Sequence, residues 1–119
     1  MHMLKEIHNI LQDSKDLSKR WFTSDDEDLY IWLENSKVVA FEYCYDKLKS
    51  EHMLCWHEET LPVHSRVDEG EHPGGYKRSP ICVPDGDVDP AQLALKFEAS
   101  GNHIEPVLYR QILKCLYNL

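Results

Sequence analysis

The chain has no long apolar run, no paired-cysteine motif and no excess of basic residues, and each absence removes a class of function. No stretch approaches the roughly 20 apolar residues that cross a bilayer as a helix, and residues 1–17 lack the apolar centre of a signal peptide. A cytoplasmic protein without membrane association is the expectation. Cys44, Cys55, Cys82 and Cys115 are scattered and never form a C-x-x-C pair, so neither a zinc ribbon nor a redox dithiol is indicated. Reduced and mostly buried thiols fit that compartment. Lys and Arg number 13 against 21 Asp and Glu, a net charge of −8 that repels phosphate. Direct binding of nucleic acid or anionic lipid is thereby disfavoured. There is no internal repeat or low-complexity segment, and Met1-His2 reads as a cloning remnant ahead of Met3.

What the chain does have is rings. The stretch from Trp21 to Trp56 holds all three tryptophans, two of the three phenylalanines and three tyrosines, and such side chains fill a pleated surface well. At 119 residues a single domain, 1–119, is expected. Arg20 to Thr23 reads as a short strand ended by an acidic loop, Ser24 to Asp28. Residues 28–34 and 37–46 flank Asn35-Ser36, and a two-residue turn there places Glu34 opposite Lys37, Trp32 opposite Val39 and Tyr30 opposite Phe41. One face then carries Tyr30, Trp32, Val39, Phe41 and Tyr43, and the other Leu29, Ile31, Leu33, Val38, Ala40 and Cys44. Residues 51–57 add a third strand, with Leu54 and Trp56 on one side.

Helices are predicted around this meander. Leu4, Ile7 and Leu11 fall at helical spacing, so residues 3 to about 13 read as an amphipathic helix. Asp89, Pro90 and Gln92 form a helix start, with Asp89 as N-cap, and Gly101 a stop. A last helix runs from Glu105-Pro106 to about Tyr117. Between, residues 58–79 read mainly as loop, with a short strand at Val63 to Val67, and Pro80 to Pro84 suits an edge strand. The fold class is α+β, an antiparallel sheet packed against an N-terminal helix and two C-terminal helices.

Several segments, Arg20-Trp21-Phe22, Asp28-Leu29-Tyr30-Ile31-Trp32, Cys44-Tyr45-Asp46-Lys47, Leu54-Cys55-Trp56, His64, Val67 to Glu71 and Pro80 to Gly86, together resemble a family of small uncharacterised bacterial proteins. The resemblance spans roughly residues 20–98 and implies a cytosolic protein to which no catalytic residue can be carried over.

Candidate chemistry concentrates between His52 and His72, where four histidines accompany Cys55 and several carboxylates, ligand types that zinc prefers. Cys55, His57, His64, Asp68 and His72 form the candidate divalent-metal set, against a solvated histidine-rich loop. His57-Glu58-Glu59-Thr60-Leu61 starts like a zinc-protease helix, but Leu61 stands where the second histidine belongs. Asp85, Asp87 and Asp89 imitate a calcium loop that Pro90 and Lys96 then break, and Gly74 to Ser79 lacks phosphate-loop spacing. Surplus apolar sheet surface favours instead a non-catalytic interaction module without a cofactor, its partner a polypeptide or a second copy of the chain in a homodimer. Tyr30, Trp32, Phe41 and Tyr43 are its expected surface. The alternative is a metal-dependent or nucleophilic enzyme using residues 55–72.

Overall fold

Asn35 and Ser36 both adopt left-handed backbone, with φ of 50° and 68°, the twist that a two-residue hairpin needs to match its strands. That hairpin is the centre of the sheet. A computed structural model describes residues 3–12, 14–48, 50–68, 81–84 and 89–119, with backbone alone at 67, 68 and 81–84. These form β1 (Lys5–Ile7), β2 (Ser18–Thr23), β3 (Asp28–Glu34), β4 (Lys37–Tyr45), β5 (His52–His57), β6 (Thr60–Asp68), β7 (Ile81–Pro84), α1 (Pro90–Gly101) and α2 (Pro106–Tyr117). The strands lie in sequence order as a seven-stranded sheet, every neighbouring pair antiparallel. The α+β class and the meander of residues 28–57 are as expected.

The central register differs from the expected one at a single place. Glu34 faces Lys37 and Leu33 faces Val38, but Trp32 faces Ala40 and Tyr30 faces Glu42. Val39 is the extra residue of a β-bulge, and because side chains alternate, one insertion moves every later residue of β4 to the opposite face. Phe41 and Tyr43 therefore join Leu29, Ile31 and Leu33 instead of Tyr30 and Trp32. The bulge is held from both sides: Val38 N–H donates to Gln111 Oε1 on α2 at 2.9 Å, and Val39 carbonyl accepts from Glu58 N–H at 3.0 Å.

The N-terminal helix is not present. Lys5–Ile7 instead pairs with Trp21–Thr23, Leu4 is fully buried, and Leu4 N–H donates to Ser100 carbonyl at 2.9 Å. An isolated helix of that length is marginal in water, whereas the strand buries Leu4 and satisfies part of the β2 edge. Leu11, on the expected apolar stripe, is 90% exposed. Asn9, with φ of 61°, turns the chain so that Gln12 reaches Lys19, accepting from its N–H at 2.7 Å and donating to its carbonyl at 3.1 Å. One side-chain amide thus occupies the β2 edge beyond the end of β1, where a foreign strand could otherwise pair.

The histidine-rich segment also departs from expectation, since β6 spans Thr60–Asp68 and only Glu58-Glu59 turns the chain. Pro62 sits where the β5–β6 register shifts, a position that asks no ladder hydrogen bond of it. At the other end of the molecule Asp89 caps α1 as predicted, its Oδ1 accepting from Ala91 and Gln92 N–H. Gly101 ends that helix, and a Cβ there would meet the Phe97 ring at 2.8 Å.

Both helices lie on one face, called inner here. Phe22, Leu29, Ile31, Leu33, Val38, Phe41, Tyr43 and Leu54 form one cluster with Leu93, Ala94, Phe97, Ile104, Leu108, Ile112 and Leu116. Burying such side chains contributes about 1.5–3 kcal/mol each, so this face supplies the core.

Candidate functional site

The outer face has a different chemistry. Trp21, Tyr30, Trp32 and Lys19 project from it because Trp21 pairs with Tyr30 and Lys19 with Trp32 across β2–β3, in the alternate positions to Phe22, Leu29 and Ile31. Trp21 stacks on Tyr30 with ring centroids 5.6 Å apart and 8° between planes, and Tyr30 meets Trp32 at 6.4 Å. The rings are half-buried and lie outside the core cluster. Lys19 Nζ sits 5.2 Å from the Tyr30 centroid and 5.4 Å from that of Trp32, within the reach of a cation–π interaction.

Polar contacts fix this platform. Trp21 Nε1–H donates to Asp28 Oδ1 at 3.3 Å, Thr23 hydroxyl donates to the same oxygen, and Lys47 Nζ reaches Asp28 Oδ2 at 2.9 Å. Glu42 lies across the ladder from Tyr30. Burial pushes the Tyr30 hydroxyl up from its ordinary value, and the nearby Asp28, Cys44 and Glu42 push the same way. Cys44, beside them, is pushed up to about 12, by burial first and then by surrounding acids, so it is a thiol and no nucleophile near neutral pH.

A second concavity lies on the inner side, between the end of β4 and α1. It holds about 330 Å³ and is lined by Tyr45, Asp46, His64, Asp89, Gln92, Leu93 and Lys96. The Tyr45 hydroxyl bonds His64 Nε2, and the rings of Tyr45, His52 and His64 stack in parallel. Lys96 bridges Asp46 at 2.9 Å and Asp26 at 3.7 Å. Next to it Glu27 is 1% exposed, accepts a hydrogen bond from the Tyr43 hydroxyl, and has its pKa raised chiefly by burial. The spacing Asp26-Glu27-Asp28 read as a solvated acidic run; the middle residue turns inward because Ser24 Oγ accepts from Glu27 N–H at 3.0 Å and curls the loop.

The expected site residues divide. Phe41 and Tyr43 are fully buried in the core, while Tyr30 and Trp32 stand on the outer face, so the four rings do not form one surface. Among the proposed metal ligands, His64 pairs with Leu54 and therefore shares the inner side, whereas Cys55 pairs with Val63 and lies on the outer side with His57. Asp68 ends β6 and its side chain, like all of His72, falls outside the described residues. No group of three or more His, Cys, Asp or Glu among the described residues is placed to hold a metal ion. Trp21 and Lys19 are the members of the outer platform that pattern reading missed; the alternation of Lys19, Trp21 and Thr23 with Arg20 and Phe22 was the signal.

Comparison of the chain with family models, curated proteins and solved structures finds no match. Among the described residues no helix is long and apolar enough to cross a membrane.

Proposed function

We propose that the chain is a non-catalytic, cytoplasmic protein-binding module that docks a polypeptide through the outer sheet face around Trp21, Tyr30 and Trp32. One observation carries the reading: three large rings are ordered on a face that no described helix covers, while both helices complete the core on the other side. Aromatic residues rimmed by charge are what protein interfaces concentrate. The partner is either a second copy of the chain or another protein, and strand addition at the β1 side is a poor alternative because β1 is short and Gln12 occupies the part of β2 that β1 leaves uncovered.

The test pairs association with folding. Sedimentation velocity and native mass spectrometry of the purified chain, together with affinity capture, are compared between wild type and Trp32→Leu. The reading requires that the complex or dimer weaken at least about tenfold, the loss expected when a central aromatic contact worth more than 1 kcal/mol is removed, while circular dichroism stays unchanged. Association that survives Trp32→Leu and Trp21→Leu alike contradicts it.

A further inference from the structure

We infer that a cavity between the start of β4, β5 and the C-terminal half of α2 is a binding site for a small, flat aromatic carboxylate. The site is separate from the outer sheet face, and the inference does not depend on the docking reading.

The cavity holds about 380 Å³, within the roughly 300–1,000 Å³ of small-molecule sites. Strand pairing sets one wall, because Trp56 lies opposite Phe41 and stacks on its ring with centroids 5.4 Å apart and 17° between planes. Phe41 is fully buried. Trp56 lines the cavity as the half-buried end of that stack, which a flat ligand can extend. Val38 and Cys115 add apolar wall. Gln111 holds the two sides at their spacing, accepting from Val38 N–H at 2.9 Å and donating to Ser36 carbonyl at 3.3 Å. The walls are thus in place before a ligand arrives, which lowers the ordering cost of binding.

Charge selects the ligand. Residues 106–119 include Arg110 and Lys114 and no Asp or Glu, in a chain of net charge −8. No carboxylate lines the cavity, whereas two lysines do. Lys37 is engaged by Glu58 at 3.0 Å, which leaves Lys114, exposed and without an ion-pair partner among the described residues. Its field reaches the cavity wall, where it opposes the burial that pushes the Cys115 thiol up. That thiol stays neutral and adds no negative charge. The Trp56 indole N–H likewise donates to no described residue and is open to solvent. One unpaired cation and one unengaged N–H suit a single carboxylate better than a doubly charged phosphate, and the ring wall suits a flat apolar body.

Heteronuclear NMR of the full chain, reading each indole and amide N–H, tests the proposal by titration with naphthoate, its neutral analogue naphthamide and its cationic analogue naphthamidine. Naphthoate is expected to bind at millimolar concentration or below and to shift the Trp56 indole and Val38 amide signals, with the amide weaker and the amidine silent. Lys114→Gln should weaken naphthoate binding about two- to fivefold, the contribution of an exposed ion pair. Lys5→Gln removes the same charge from β1 and should leave the affinity unchanged. Cys115→Phe, checked for folding by circular dichroism, should plug the cavity and abolish binding. Lys114→Glu changes only an exposed position and should reverse the preference, from the acid toward the amidine. Failure of naphthoate to bind, equal affinity for the three probes, equal weakening by Lys5→Gln and Lys114→Gln, or shifts at the Trp21 and Trp32 indoles in place of Trp56 each overturns the inference.

Discussion

The two faces of one sheet are built from the same strands and the same kinds of side chain, yet they do different work. On the inner face Phe41, Tyr43 and Leu54 are fully buried against α1 and α2. On the outer face Trp21, Tyr30 and Trp32 are only half-buried and are organised by one another, by Lys19 and by Asp28. Aromatic content alone does not separate core from surface. The separation comes from a single inserted residue, Val39, which decides the face on which every later residue of β4 falls.

Substitutions sharpen the contrast. The largest effect is expected from Phe41→Ala, which should cost about 3–5 kcal/mol of stability in urea denaturation because it leaves a cavity in a closed core. Trp32→Ala removes a ring that is only half-buried and should cost less, about 1–2 kcal/mol, for its lost burial, its contact with Tyr30 and its cation–π contact with Lys19. Comparable losses at the two positions would break the comparison.

The buried acid comes next. Tyr43→Phe strips Glu27 of one of its two donors, Ser100 remaining, and should cost about 1 kcal/mol, the net worth of one buried hydrogen bond. Burial is the main cause that raises the Glu27 carboxyl above its ordinary value, so the folded state holds that proton more tightly than the unfolded chain. Its contribution to stability is complete below that value and declines as pH rises through the folded pKa. Denaturation midpoints of Glu27→Gln should lack this decline. Glu6 works in the opposite direction: the hydrogen bond from Arg20 lowers its pKa, and the stability it contributes fades as pH falls below the ordinary carboxylate range.

Smaller effects belong to the edge and the turn. Gln12→Ala opens the Lys19 backbone and should cost about 1 kcal/mol, with an increase in concentration-dependent aggregation seen by light scattering. Ser36→Gly should stabilise by up to about 1 kcal/mol, because Ser36 pays a left-handed penalty that glycine does not. A loss of stability there would mean that the Ser36 side chain contributes more than its backbone conformation costs.

Much of this fold was legible because local signals agreed with one another. The Asn35-Ser36 turn, the Asp89-Pro90 helix start and the strand between Pro80 and Pro84 were each marked by residues with few other uses. The bulge was harder, although one signal existed: in unbroken alternation Glu42 shares the face of Leu29 and Ile31, and a charge on a helix-covered face is costly. Val39 relieves that conflict by moving Glu42 outward. The N-terminal segment misled because Leu4, Ile7 and Leu11 fit helical spacing, while the competing bonds come from Ser100 and Trp21 to Thr23, far along the chain. Histidine and cysteine content pointed to residues 55–72 as a cluster, but strand alternation sends His57 and His64 to opposite sides of β5–β6.

The central proposal is that the outer rings contact a polypeptide and the inner rings do not. Hydroxyl-radical footprinting of the free chain, and of the chain saturated with its captured polypeptide, reads each ring separately. The account predicts that Trp21, Tyr30 and Trp32 oxidise readily in the free chain and become protected in the complex, while Phe41 and Tyr43 resist in both. Protection that falls on α1 and α2, with Trp21, Tyr30 and Trp32 equally reactive before and after binding, would contradict it.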